Sequence, residues 1–307
     1  MRVGITGASG MIGMALRDRL NRAGHEVVGF TRGSAAEGEI AYDPAAGTID
    51  RGSVATLDAI VNLAGAGIGD HRWTDEYRAT LVNSRVDTTS LIARTMAEVA
   101  DDGGPSTLIS GSAIGYYGDR DSDSLTEVSR SGDDFLAQLC VQWEEATAPA
   151  VDAGVRVAHV RTGIVLTPEG GALKKMLPLF KLGLGGRFGT GKQWMSWISL
   201  TDEVRAIEFL LTNEVAGPVN LTAPNPVTNR DFAAALAKAL RRPAAVPVPS
   251  FGPKLLLGSD LAESLLFFSQ RVAPCVLERA GFSFEHAEIR TALPAVLARL
   301  AAHPRTS

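Results

Sequence analysis

Lysine is what this chain most lacks. Six of its 30 basic residues are lysines, and none precedes Lys174. The scarcity fits a genome-level preference for arginine, but its chemical consequence stands apart from its cause: a permanent cation needed earlier in the chain must be a guanidinium. Cysteine is nearly absent. Cys140 and Cys275 stand far apart, which excludes a disulfide framework and a cysteine zinc site; both are expected as buried thiols. The five histidines do not cluster with cysteines or acids at metal-ligand spacing, so no metal site is expected. An excess of one charge is also missing. Lys plus Arg number 30 against 34 Asp plus Glu, a net charge of −4, and this excludes the basic footprint of general nucleic-acid binding. No apolar run approaches the ~20 residues of a membrane span. Met1-Arg2-Val3 lead straight into an apolar strand pattern instead of a signal peptide, so a cytoplasmic location is expected.

What remains is globular material. The chain has 307 residues, 45% of them apolar, enough for one large or two small domains that bury roughly 75% of the unfolded surface. Arg2 to Thr6 reads as a short buried strand. Ile12, Leu16 and Leu20 follow at i, i+4 and i+8, the stripe of an amphipathic helix that Gly24 closes. Glu26 to Phe30 reads as a second strand, completing a βαβ unit and pointing to a parallel sheet. The alternation continues with strands at Leu57–Leu63, Ser106–Ser110 (broken at Gly111), Arg156–Arg161 and Pro218–Thr222, the last returning to the same sheet. Helices are expected over Asp75–Val99, Asp134–Ala148, Asn229–Leu240 and Glu288–Ala302, and an extended segment over Pro243–Pro253.

Gly7-x-x-Gly10-x-x-Gly13 lies between the first strand and helix. Such spacing permits a tight turn, lets backbone approach a diphosphate and brings helix and strand close, while the helix N-terminus offers free amides and a positive dipole end. Ser9, Met11 and Ile12 complete that cradle. An NAD site has an acidic residue at the end of the second strand for the ribose 2′-OH. This chain has Thr31-Arg32-Gly33-Ser34 there, and its next acid is Glu37. A guanidinium fork suits a 2′-phosphate, so the expected cofactor is NADP(H).

Thr6 to Gly13, Asn62-Leu63-Ala64-Gly65, Ser112-Ala113 and Tyr117-Gly118 resemble the extended short-chain dehydrogenase/reductases. Arg72-Trp73-Thr74, Asn83 to Val86, Trp143-Glu144, Arg161 to Leu166, Trp197-Ile198-Ser199 and Ala280-Gly281-Phe282 are similar to its atypical "epimerase family protein" branch, which carries a loose cell-division-inhibitor label. The resemblance implies an α/β fold: a Rossmann-type doubly wound parallel sheet with a smaller, partly helical C-terminal substrate domain. It implies a NADP-binding domain over residues 1–165, with 198–225 returning to it, and a substrate domain over 166–197 and 226–307. Leu63, Ala64, Gly65, Ser110 and Gly163 then fall on the cofactor side of a cleft, with Arg85 on the helix behind.

The family's relay of Ser, Tyr and a Lys one helical turn later is incomplete. Ser112 matches the Ser. Phe135 occupies the expected Tyr position or its neighbour, and no Lys is available. Two readings stay open. In one, the chain is an oxidoreductase or epimerase acting on an unknown small substrate, with Ser112, Tyr116 or Tyr117 at the site and Arg85 or Arg72 as the cation. In the other, it is a non-catalytic NADP(H)-binding sensor or regulatory module. Lys192 and Arg187, beside a glycine-rich loop, could meet an anionic substrate, and His71 is a further loop candidate. His159 reads as a satisfied core residue, and Asp202-Glu203 as the acidic start of a helix. The run Leu255-Leu256-Leu257 with Leu265 to Phe268 fits core packing, a pocket wall or the face of a homodimer.

Overall fold

A computed structural model of the chain describes residues 1–243, 248–249, 251, 255 and 258–302. Its elements in order are β1 (Arg2–Thr6), α1 (Met11–Arg22), β2 (Glu26–Thr31), β3 (Glu39–Asp43), β4 (Thr48–Ile49), α2 (Arg51–Ala55), β5 (Ala59–Asn62), α3 (Asp75–Glu98) and β6 (Thr107–Ala113). After a short 3-10 turn come β7 (Ser124–Leu125), α4 (Phe135–Glu145), α5 (Ala148–Asp152), β8 (Arg156–Thr162), β9 (Ile164–Leu166) and α6 (Gly171–Lys181). β10 (Trp194–Met195), β11 (Trp197–Ser199), α7 (Leu200–Thr212), β12 (Gly217–Leu221), β13 (Val227–Thr228) and α8 (Asn229–Leu240) follow. The last described elements are α9 (Ser259–Ala262), β14 (Arg271–Val272), α10 (Cys275–Arg279) and α11 (Ile289–Ala302). No described helix is long and apolar enough to cross a membrane.

The main sheet has eight strands in the order β12-β8-β6-β5-β1-β2-β3-β4. Parallel pairing runs from β6 through β5, β1 and β2 to β3, and β4 returns antiparallel. Strand order reverses between β1 and β5, so the chain winds outward in both directions from that point. Ligands of such sheets bind at the carboxyl ends of the strands beside this reversal.

The chain divides into two compact units that interleave along the sequence. The first holds residues 1–116, 137–161 and 204–219; the second holds 117–136, 162–203 and 220–307. In the first, Val28, Phe30, Ile60, Ile92, Met96 and Leu108 centre a core between the sheet and α3. All six lysines lie outside this unit. The second builds its core from α6, α8 and α11, with Leu173, Phe180, Trp197, Phe232 and Leu293 buried together.

Three sequence expectations are corrected. β6 runs through Gly111 to Ala113 instead of breaking there. The glycine serves packing: a Cβ on it would stand 2.7 Å from the Trp143 ring. The expected helix over 134–148 ends at Glu145, and α5 is a separate piece. The Leu255 and Leu265–Phe268 run is not core. Leu255 is 74% exposed and Leu265 43%, with Leu266, Phe267 and Phe268 half-buried. Leu256, Leu257 and most of the Pro243–Pro253 segment lie outside the described residues.

Candidate functional site

The turn after β1 is shaped by glycine. Gly7 has φ +65°, a conformation that favours glycine. A Cβ on Gly13 would overlap the Gly7 carbonyl oxygen, and one on Gly10 would stand 3.1 Å from it. The Gly10 amide donates to that same oxygen at 2.9 Å, which fixes the turn. Gly10 caps α1 without a side chain, and no acid stands in the first turn. Ser9 and Gly10 are exposed, with Met11 and Ile12 half-buried. The helix therefore begins with uncapped amides and an unopposed positive dipole end, a donor set suited to an anion. Arg32 is exposed just beyond β2, beside half-buried Thr31.

The β5 end is tied to this turn. Thr6 Oγ1 donates to Asn62 Oδ1 at 2.6 Å and accepts from the Leu63 and Ala64 amides at 3.1 and 3.2 Å. Those two amides are thus committed within the protein. Asn62 Nδ2 donates in turn to Thr89 Oγ1 at 2.7 Å, and the Trp143 indole donates to the same oxygen at 2.9 Å. Ser110, paired with Asn62 across the strands, is fully buried, and its hydroxyl has no partner among the described residues.

A second polar cluster forms where β6, β8 and α4 meet in the first unit. Ser112 Oγ donates to Glu144 Oε1 at 2.7 Å. Arg161 grips both oxygens of Glu144, Nε to Oε1 and Nη2 to Oε2, each at 2.8 Å. Its guanidinium also lies 3.4 Å from the centroid of the Tyr116 ring. Bidentate pairing of this kind is among the stronger polar contacts in proteins. Cys140, on the α4 face toward Ala113, is fully buried, and burial pushes its thiol up to about 12. Phe135 opens α4, and the helix carries neither a tyrosine nor a lysine. His159 lies at 2.9 Å from Thr147 Oγ1, with its pKa lowered by burial. His71 is exposed and packs edge-on against Tyr77, centroids 4.9 Å apart.

Tyr117 departs from expectation. It is fully buried in the second unit, and its hydroxyl donates to Asn220 Oδ1 at 2.7 Å. A phenol held this way is a packing element and not an open acid. Gly163 departs as well: its amide donates to Leu221 O at 3.0 Å, and a Cβ would stand 2.9 Å from Ser196 O. Its role in the structure is close packing.

The same unit holds a buried acid that the sequence reading took only as a helix start. Glu203 is fully buried, accepts from Thr162 Oγ1 at 2.8 Å, and has Oε2 without a partner among the described residues. Burial raises its carboxyl to about 8, so it is largely protonated at neutral pH. The adjacent Asp202 accepts from the Glu285 and His286 amides at 2.9 and 2.8 Å. A cavity of about 510 Å³ also opens in this unit, lined by Asp119, Asp121, Phe188, Lys192, Glu263 and Phe267 among others. Lys192 thus shares this cavity with three acids, Asp119, Asp121 and Glu263, a setting less suited to the anionic substrate expected to meet it. Among the described residues there is no His, Cys, Asp and Glu group fit to hold a metal ion.

Glu144 and Arg161 are the residues that sequence reasoning missed as a site. They were visible only as parts of short motifs, and nothing local pairs positions 144 and 161.

Comparison with known proteins places these features in context. The sequence model of the NAD dependent epimerase/dehydratase family matches residues 3–222, and a domain of unknown function, DUF1731, matches residues 248–296. An epimerase family protein of Mycobacterium bovis is 44% identical over 293 residues, covering 95% of this chain and 96% of the relative. A chloroplastic epimerase family protein of Arabidopsis thaliana is 37% identical over 305 residues, covering 97% and 87%. Among solved structures, the human epimerase family protein SDR39U1, determined with NADPH, is 32% identical with a TM-score of 0.88, covering 98% of this chain and 100% of that one.

Proposed function

From the membership of this chain in the NAD dependent epimerase/dehydratase family, we propose that it binds NADP(H) at the Gly7–Gly13 turn and acts as an oxidoreductase or epimerase of the extended short-chain type on a small molecule. The observation that carries this reading is the turn itself. A Cβ at Gly13 would overlap the Gly7 oxygen, and α1 starts with amides that no side chain caps. Residues here fit a dinucleotide: backbone amides of Met11 and Ile12 with Ser9 for the diphosphate, and Thr31 and Arg32 for the 2′-phosphate. The NADPH in the human relative's structure supports the same choice.

The chemistry a bound nicotinamide supplies is hydride transfer. Proton handling falls to this chain's own groups. Arg161 is the cation nearest a tyrosine ring in the Ser112 cluster, and Glu144 fixes it. In this reading Tyr116 exchanges the proton, Arg161 stands in for the missing lysine, and Ser112 orients a substrate hydroxyl through its oxygen lone pairs. The Ser112 proton is held by Glu144, so the serine acts as an acceptor.

That commitment of the Ser112 proton, together with the occupied Tyr117 hydroxyl, favours a second reading: a NADP(H)-binding sensor or regulatory module without turnover. Nicotinamide absorbance over a panel of carbonyls and sugar nucleotides separates the two. Turnover abolished by Tyr116→Phe supports the enzyme; NADPH binding with no turnover on any of them supports the module. The nucleotide assignment has its own test. Arg32→Ala should weaken NADPH by about 1.5–3 kcal/mol, the range of a lost hydrogen bond to a charged group, and leave NADH unchanged in calorimetry. Equal losses for both would remove Arg32 from the site.

A further inference from the structure

Arg85 on α3 is a cation without an anion among the described residues. It is 7% exposed. Nη1 donates to Leu81 O at 3.1 Å and Nη2 to Ala66 O at 2.9 Å, while Nε has no partner among the described residues. The guanidinium stands 5.1 Å from the Trp143 ring. It also presses on Gly65, where a Cβ would come within 3.0 Å of Cζ and 3.3 Å of Nε. Among the described residues no carboxylate pairs with it. The ionisable groups facing it are the Cys140 thiol and the Tyr77 phenol, and burial raises both above their usual values, so neither is an anion at neutral pH. An uncompensated buried charge is costly, and such groups cluster at functional sites.

The loop beneath it belongs to the candidate site. Gly7 abuts Leu63 and Ala64 on one side, with a Cβ position 2.8 Å from Leu63 O, and Arg85 abuts Gly65. The guanidinium is thus one loop away from the glycine turn. We propose that Arg85 anchors an oxyanion bound against the 63–66 loop, supplied by the diphosphate of a nucleotide at the turn or by a carboxylate or phosphate of the substrate. The first source rests on the nucleotide-binding reading above; the second does not.

Arg85→Met keeps most of the volume and removes the charge. Calorimetry on the full chain has two arms: NADPH alone, and inorganic phosphate added to NADPH-saturated protein. The expected result is at least a tenfold loss of affinity in one arm, with the ligand-free variant melting no lower than the parent protein because the unpaired charge is gone. Loss in the first arm assigns the anion to the nucleotide, and loss in the second assigns it to the substrate. Unchanged affinity in both arms overturns the proposal, whatever the melting temperature. If the Met variant does not fold, Arg85→Lys carries the same comparison, with a threefold loss expected because the planar fork is gone. If the parent protein binds no NADPH, the nucleotide reading falls, and phosphate titrated onto the ligand-free chain still decides the case of Arg85: binding that Arg85→Met leaves unchanged, or no binding at all, overturns it.

Discussion

Replacing Glu203 by Gln should make the chain more stable, and increasingly so as pH rises. The carboxyl is fully buried, with Thr162 Oγ1 as its hydrogen-bond donor and Oε2 unpartnered. Burial raises its pKa from the ordinary 4.5 to about 8. The folded chain therefore holds a proton there that the unfolded chain releases above about pH 4.5. Its contribution to stability is fully present below that point and is lost as pH rises through about 8. At 1.36 kcal/mol per pH unit, the loss between pH 4.5 and 7 is on the order of 3 kcal/mol, and complete ionisation brings it to about 5 kcal/mol. Gln keeps the oxygen that accepts from Thr162 and carries no charge at any pH. Urea unfolding of parent and variant at pH 5, 6, 7 and 8 gives the difference directly, free of the other titrating groups the two share. The two stability curves should diverge toward alkaline pH, with Glu203→Gln above. Parallel curves across this range would refute the reasoning.

Other changes test the remaining geometry. Gly13→Ala drives a Cβ into the Gly7 carbonyl; it should cost about 1–3 kcal/mol by overpacking and abolish NADPH binding, and a variant that binds normally would remove the turn from the site. Arg161→Met leaves the Glu144 carboxylate, 12% exposed, without its counter-ion. Denaturant unfolding should show a loss of about 3–5 kcal/mol, partly restored by adding Glu144→Gln. A loss below about 1 kcal/mol would mean that the pair is held mainly by its surroundings.

Local pattern made β1, α1 and β2 legible, because glycine spacing and the Ile12, Leu16, Leu20 stripe act within one turn or one strand. β3 was not legible: Glu39 to Asp43 has acids at both ends and follows a stretch of small residues. Gly111 misled in the other direction. A glycine in a strand reads as a break, yet here it makes room for an indole from α4. The site divided the same way. The turn was visible in sequence, whereas the Ser112–Glu144–Arg161–Tyr116 cluster draws on β6, the 3-10 turn after it, α4 and β8, and only the tertiary fold brings them together. The Leu265–Phe268 run was legible as apolar but not as half-exposed, since hydrophobicity alone does not say whether neighbours will cover it.

The unit that carries the parallel sheet has no lysine side chain. Apart from histidine and the Met1 amine, its positive groups are guanidinium, which does not discharge in mildly basic media, so an anion held by one of them at neutrality meets the same cation at pH 10. Acylating reagents would find in this half no ε-amine, only the Met1 α-amine, and would place their side-chain labels on its companion, which biases labelling toward one unit without engineering a single residue.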